Sequence, residues 1–153
     1  MRISAKADYA VRAAAELAGA QPQGRPVKGE QLAAAQGIPQ KFLENILADL
    51  RHAGLVRTRR GAEGGYALTR AAHDISLAEV LRAVEGPLAA VQGVRPESLR
   101  YGGAATRLPE VWVALRANVR AVLERVTLAD LAAGALPDDV AALTTPQDAW
   151  QPH

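Results

Sequence analysis

The stretch that most constrains this chain is IPQKFLENILADLRHAGLVRTRRGAEGGYALT, from Ile38 to Thr69. Phe42, Leu43, Ile46, Leu47 and Leu50 recur at helical spacing and predict a buried helix face. Pro39 suits the first turn of that helix, where a missing N–H costs nothing, and Gly54 ends it. Val56 to Arg60 then alternates, with Val56 and Thr58 on one side and Arg57 and Arg59 on the other. A glycine-rich turn follows, and YALT returns as a second strand. Upstream, GEQLAAAQ predicts a short helix over 29–36, broken by Gly37. Two helices across a glycine turn, followed at once by a hairpin, make a winged helix-turn-helix.

The flanking segments read as more helix. Ser4 caps a first helix expected to run to about Ala18, with Ile3, Ala7, Ala10, Val11, Ala14, Leu17 and Ala18 on its apolar side. Ser76 and Glu79 form a capping box for a helix with Leu77, Val80, Leu81 and Val84 as its stripe, ended by Gly86-Pro87. Past a loop, a long helix starts near Pro109. Its stripe is Leu108, Val111, Trp112, Leu115, Val119, Val122, Leu123 and Val126. These large side chains outnumber what a small winged helix needs, so a dimer helix is the favoured reading and an ordinary core helix the alternative. Thr127 and Asp130 box a last short helix ending at Gly134. The expected organisation is mostly α: a winged helix over 1–86, a loop of effector-sensor type over 87–107, dimerisation helices over 108–134 and a flexible tail over 135–153.

Composition narrows the chemistry. Hydrophobic residues make up 49% of the 153, enough for one buried core, and Ala and Leu among them favour helix. No apolar run is long enough to span a membrane, and the N-terminus does not read as a signal peptide, so a cytoplasmic protein is expected. The chain has no cysteine, which excludes disulfides, thiol catalysis and thiolate-held clusters. His52, His73 and His153 are too scattered for a metal motif, and no metal or other cofactor is expected. No nucleophile–base pair or phosphate loop points to an enzyme. Residues 1–70 hold eleven basic and six acidic side chains, whereas residues 71–153 hold seven and ten. The basic half contains the winged helix, as a polyanion-binding head would.

The order of parts resembles the Rrf-type winged-helix transcription regulators of bacteria, a family with iron–sulfur-cluster, nitric-oxide-sensing and cysteine-metabolism members. The resemblance lies in KADYAVRAAAELA, IPQKFLENILADLRHAGLVRTRRGAEGGYALTR, ISLAEVLRAVEGP and VWVALRANVRAVLERVTLADL. It implies a homodimer that binds a near-palindromic double-stranded DNA operator, usually to repress. Cluster-binding members carry three cysteines in the loop after the VEGP helix. Here that loop, 88–107, has none, which implies a clusterless member with an unknown effector.

The candidate contacts follow from this reading. The N-terminal turn of a reading helix enters the major groove, which makes Gln40, Lys41, Glu44 and Asn45 the base-contact candidates. The resemblance sets Arg59, in the wing, against DNA as well. Arg57 and Arg60 are phosphate candidates, with Gly61, Gly64 and Gly65 forming a turn narrow enough to approach a duplex. Lys6 and Tyr9 on the first helix could clamp phosphate, Tyr9 equally being core. Lys28 and Arg51 could add phosphate contacts or be plain surface. Arg95, Arg100, Tyr101 and Arg107 could hold a small anionic effector, loop solvation being the preferred reading. The rival function is a winged helix that docks a protein partner and has no operator; a basic wing argues against it.

Overall fold

Small side chains determine how the first helix packs. The computed structural model describes residues 2–152; His153, one of the three histidines weighed as metal ligands, lies outside the described residues. Helix α1, Ala5–Ala20, buries Ala7, Ala10, Ala13, Ala14, Leu17 and Ala18. A face made almost wholly of alanine lets four other helices approach it closely. Ser4 Oγ accepts from the Ala7 N–H at 3.0 Å and caps the helix. The helix continues through Gly19, so that glycine does not end it, and Ile3 lies before it, 74% exposed. Val11 is half-buried rather than core.

The helix-turn-helix follows as α2, Gly29–Gln36, and α3, Gln40–His52. Leu32, Ile38, Leu43, Ile46, Leu47 and Leu50 are buried against α1. Phe42 departs from expectation. It sits just off the buried stripe, 42% exposed, with its ring edge-on to Tyr9 at 5.7 Å. Arg12 locks α1 to α2 by donating from Nε to Gln36 Oε1 at 3.0 Å.

Strands β1, Val56–Arg59, and β2, Gly65–Leu68, pair antiparallel, with Val56 opposite Leu68 and Arg59 opposite Gly65. A third segment joins them: Val27 and Tyr66 exchange both backbone hydrogen bonds at 2.8 Å. The wing is therefore anchored to the start of α2 as well as to the end of α3.

Helix α4, Leu77–Glu85, packs on α1 and α3. Helix α5, Leu108–Leu123, is followed by α6, Leu128–Ala133. The two capping boxes lie side by side. The Leu77 N–H donates to the Val126 carbonyl and the Leu128 N–H to the Ile75 carbonyl, both at 2.9 Å. This clasp pins the end of α5 to the winged head. Burial pushes the Glu79 carboxyl up, but the Ser76 N–H and Arg70 outweigh it and hold the group below the usual range. The Thr127 N–H and then its hydroxyl hold Asp130 low in the same way.

Val126 does not belong to the exposed stripe expected of it. The helix ends before it, and its side chain is only 3% exposed within its own chain. The rest of α5 is open: none of its residues is buried, with Val111 at 55% and Leu115 at 38% exposure. Leu108, Trp112, Val119, Val122 and Leu123 are half-buried. The segment expected to be loose holds a short helix, α7, Asp138–Ala142, seated by Val140 and by an Arg125–Asp139 ion pair at 3.1 Å. Trp150 folds back and donates from Nε1 to the Thr144 carbonyl at 2.6 Å. Among the described residues no helix is long and apolar enough to cross a membrane.

Candidate nucleic-acid interface

The N-terminal end of α3 is left open by its sequence. Pro39 stands at the cap and supplies no side-chain hydrogen bond, and no acidic residue occupies the first turn. The free N–H groups of that turn therefore carry the positive end of the helix dipole to the surface. Gln40 and Lys41 sit on this turn, exposed, with Glu44 and Asn45 one turn on.

The wing folds back beside this end. A cleft of about 310 Å³ opens between them, lined by Lys28, Glu30, Gln40, Glu44, Arg59 and Tyr66. Thus Gln40 and Glu44 from α3, Lys28 from the start of α2 and Arg59 from β1 share one groove. Asn45 does not join them. It lies on the other flank of α3, in a separate groove with Lys6, Phe42 and Asp49.

The wing turn is built for close approach. A Cβ on Gly64 would lie 2.2 Å from the Arg59 carbonyl oxygen and 2.8 Å from that of Gly61. A Cβ on Gly65 would lie 2.5 Å from the Val27 carbonyl oxygen, in a backbone with φ of 150°. Gly64 is thus required for space rather than for a left-handed φ, whereas Gly61, at φ 103°, is required for its conformation.

Charge pairing separates the cations. Lys28, Lys41, Arg51, Arg57, Arg59 and Arg60 are all exposed, and none forms an ion pair among the described residues. Their charge is left uncompensated on the α3 and wing surface. Lys6 differs, being bound to Asp49 of α3 at 2.7 Å. Tyr9 packs partly against the core, between the edge of Phe42 and the Arg12 guanidinium, which lies 5.3 Å from its ring centre. The geometry therefore gives Lys6 an ion-pair duty that the phosphate-clamp reading did not include, and gives Tyr9 the packing role held open as its alternative.

Of the four loop residues considered for an effector, Arg95 lines a cleft against α4 and α5, and Arg107 lines a separate apolar one with Leu108 and Val111. Arg100 donates to the carbonyls of Glu97 and Leu99, and Arg107 pairs with Glu110 at 2.7 Å. Tyr101 is half-buried nearby. Sequence reasoning missed Tyr66 and Glu30 in the groove. Tyr66 was detectable in principle, since an aromatic residue opposite Thr58 in the hairpin must cover something.

The comparisons agree with this fold. A family model described as Rrf2, iron-dependent transcriptional regulator, matches residues 3–134. The Mycobacterium tuberculosis protein Rv1287, provisionally named an HTH-type transcriptional regulator, is 56% identical over 143 residues, 94% of this chain and 88% of the relative. The structure of CymR, the global cysteine regulator of B. subtilis, superposes with a TM-score of 0.74 at 33% identity, covering 88% of this chain and 98% of that one. IscR of T. potens gives 0.71 at 34% identity, covering 88% of each.

The family description implies iron, and the donors here do not fit an iron–sulfur cluster. Such clusters need thiolate ligands, and this chain has no cysteine. The 87–107 loop offers Glu97 as its one carboxylate and no histidine. Among the described residues no three His, Asp or Glu side chains gather as a metal site.

Proposed function

The chain belongs to the Rrf2 family of transcriptional regulators, and from that premise we propose that it works as a clusterless homodimer that grips a near-palindromic operator and represses. It is a winged-helix DNA-binding regulator and not an enzyme. The observation that carries the reading is the groove in which Gln40, Glu44, Lys28 and Arg59 converge beside the open end of α3. A helix end with free N–H groups and an amide side chain suits a major-groove edge, where Gln pairs with adenine and Glu accepts from cytosine. Lys41 beside them can reach guanine, and Asn45 would meet the duplex from the other flank of α3. Arg59 reaches the adjacent minor groove or its rim, while Arg57, Arg60, Arg51 and Lys28 hold phosphates.

Dimerisation is supported by α5, whose Val111 and Leu115 stay exposed while the helix buries no residue in its own chain. Two copies paired along this stripe cover Val111, Leu115 and Val122 and set two reading heads in two-fold symmetry. The clasp between α4 and α6 transmits that spacing rigidly to each head. A dimer seated across a promoter excludes other proteins from it, so repression is its simplest output. The site of action is the cytoplasm, where the DNA is.

Selection of bound duplexes from a random pool tests the reading. The expected result is an enriched sequence of two inverted half-sites one helical turn or a multiple of it apart. A pool that shows no enrichment, with verified folded protein at low salt, overturns it.

A further inference from the structure

The other half of the molecule holds a second concentration of cations, arranged differently. Between the end of α4, the loop after it and α5 lies a cleft of about 490 Å³. Four guanidinium groups line it: Arg82 from α4, Arg95 from the loop, and Arg116 and Arg120 one turn apart on α5. One carboxylate lines it, Glu97, bonded to Arg116 at 2.6 Å. A second, Glu124, reaches Arg120 at 2.9 Å and pairs with Arg82 as well. Four fixed positive charges thus face two negative ones.

Arg95 makes no ion pair among the described residues. Its backbone is nonetheless held in place. Val91 and Val94 bridge across a two-residue turn in which Gln92 and Gly93 have φ of 52° and 77°. Left-handed backbone at a non-glycine residue such as Gln92, or Ala89 at 51°, persists only where its surroundings impose it. Arg116 is the most enclosed of the paired arginines, with its side chain 22% exposed. Guanidinium does not deprotonate in proteins, so the surplus charge cannot be relieved by losing a proton.

We propose that this cleft is a binding site for a small anion bearing at least two negative charges on carboxylate or phosphate oxygens. Such a ligand pairs with Arg95 and shares Arg116 and Arg120 with the resident glutamates through forked, charge-assisted hydrogen bonds. A monoanion leaves part of the surplus unpaired. Because α4 carries Arg82 and packs on α3, occupancy bears on the DNA-binding head. That consequence rests on the DNA-binding reading, whereas the site itself does not.

Titration calorimetry on the full chain, without DNA and at fixed ionic strength, tests the site with citrate, succinate, inorganic phosphate and acetate. Saturable binding of one ligand per chain is expected for citrate, succinate or phosphate and not for acetate; the carboxylate and phosphate arms identify the group preferred. Arg95→Gln removes no ion pair of the fold and should weaken the bound probe about tenfold or more, the loss expected for a charge-assisted hydrogen bond. Trp112, one helical turn from Arg116, gives an independent fluorescence readout in a Trp150→Phe background. Heats no larger than those of acetate for all three probes overturn the proposal. So does binding that persists unchanged in both Arg95→Gln and Arg116→Gln. Neither outcome affects a gel shift with operator DNA, so failure of this site and failure of the DNA-binding reading are separable.

Discussion

Replacing Arg59 by alanine isolates the wing contribution to DNA binding. Arg59 is the last residue of β1, exposed, and its side chain makes no hydrogen bond or ion pair among the described residues. Its removal leaves no orphaned partner, so the folding cost should stay within about 0.5 kcal/mol, as for other surface changes. Loss of an arginine that reads a groove costs about 1–3 kcal/mol. In a symmetric dimer the substitution enters twice, which makes about 2–6 kcal/mol on one operator. At about 1.4 kcal/mol per tenfold, the lower bound is a roughly thirtyfold loss of affinity. Arg57→Ala is the matched control for a phosphate contact. It should lower the slope of log affinity against log salt by about 0.9 per subunit and weaken all duplexes alike. Fluorescence anisotropy with the selected operator and a scrambled duplex, across a salt series, measures both. Arg59→Ala protein that binds the operator within twofold of the parent, with unchanged melting and circular dichroism, refutes the assignment.

Leu115→Asp should yield folded monomers by light scattering, because Leu115 is 38% exposed in its own chain; a loss of about 2 kcal/mol or more per subunit is expected for the central residue of such a stripe. Unfolding instead of dissociation would make α5 an ordinary core helix. Gly64→Ala should lower stability by about 1–3 kcal/mol and impair DNA binding, since its Cβ would lie 2.2 Å from the Arg59 carbonyl oxygen; unchanged thermal melting contradicts the close approach. Glu79→Gln tests the α4 capping box by pH. The folded carboxyl lies below the usual glutamate value of 4.5, so its stabilisation is present above that value and is lost as pH falls through the lowered one. The parent should exceed Glu79→Gln by at most about 1 kcal/mol near neutral pH and lose that margin in acid; a pH-independent difference in melting curves counts against it.

What was legible in the sequence was local. Ser76 with Glu79, and Thr127 with Asp130, are three residues apart and can be read as boxes because both partners belong to one turn. The GAEGG turn is legible for the same reason. What was not legible depended on partners far along the chain. Val27 joins the hairpin through Tyr66, thirty-nine positions later, and nothing in PVKGE marks it as sheet. Phe42 fits the α3 period loosely enough to be read as core, yet its position beside Leu43 turns it to the rim, where Tyr9 covers one edge. Val126 continues the α5 stripe in number only, since the helix has already ended and the clasp with α4 draws the residue inward.

Net charge alone carried little, and pairing carries more. In the C-terminal half Arg82, Arg107, Arg116, Arg120 and Arg125 each hold a carboxylate, which is how arginines serve a fold. In the N-terminal half six cations on and around α2, α3 and the wing hold none among the described residues. Charges kept only for solubility would gain from scattering, since like charges held together raise the energy of the folded chain. Here they are gathered on α3, the start of α2 and the wing, beside a helix end that has no side-chain cap. That arrangement is unfavourable for the isolated protein and becomes favourable against a polyanion, where each contact neutralises a phosphate and releases condensed counterions. The steepness of the salt dependence therefore measures the same surplus that the folded chain leaves unpaired.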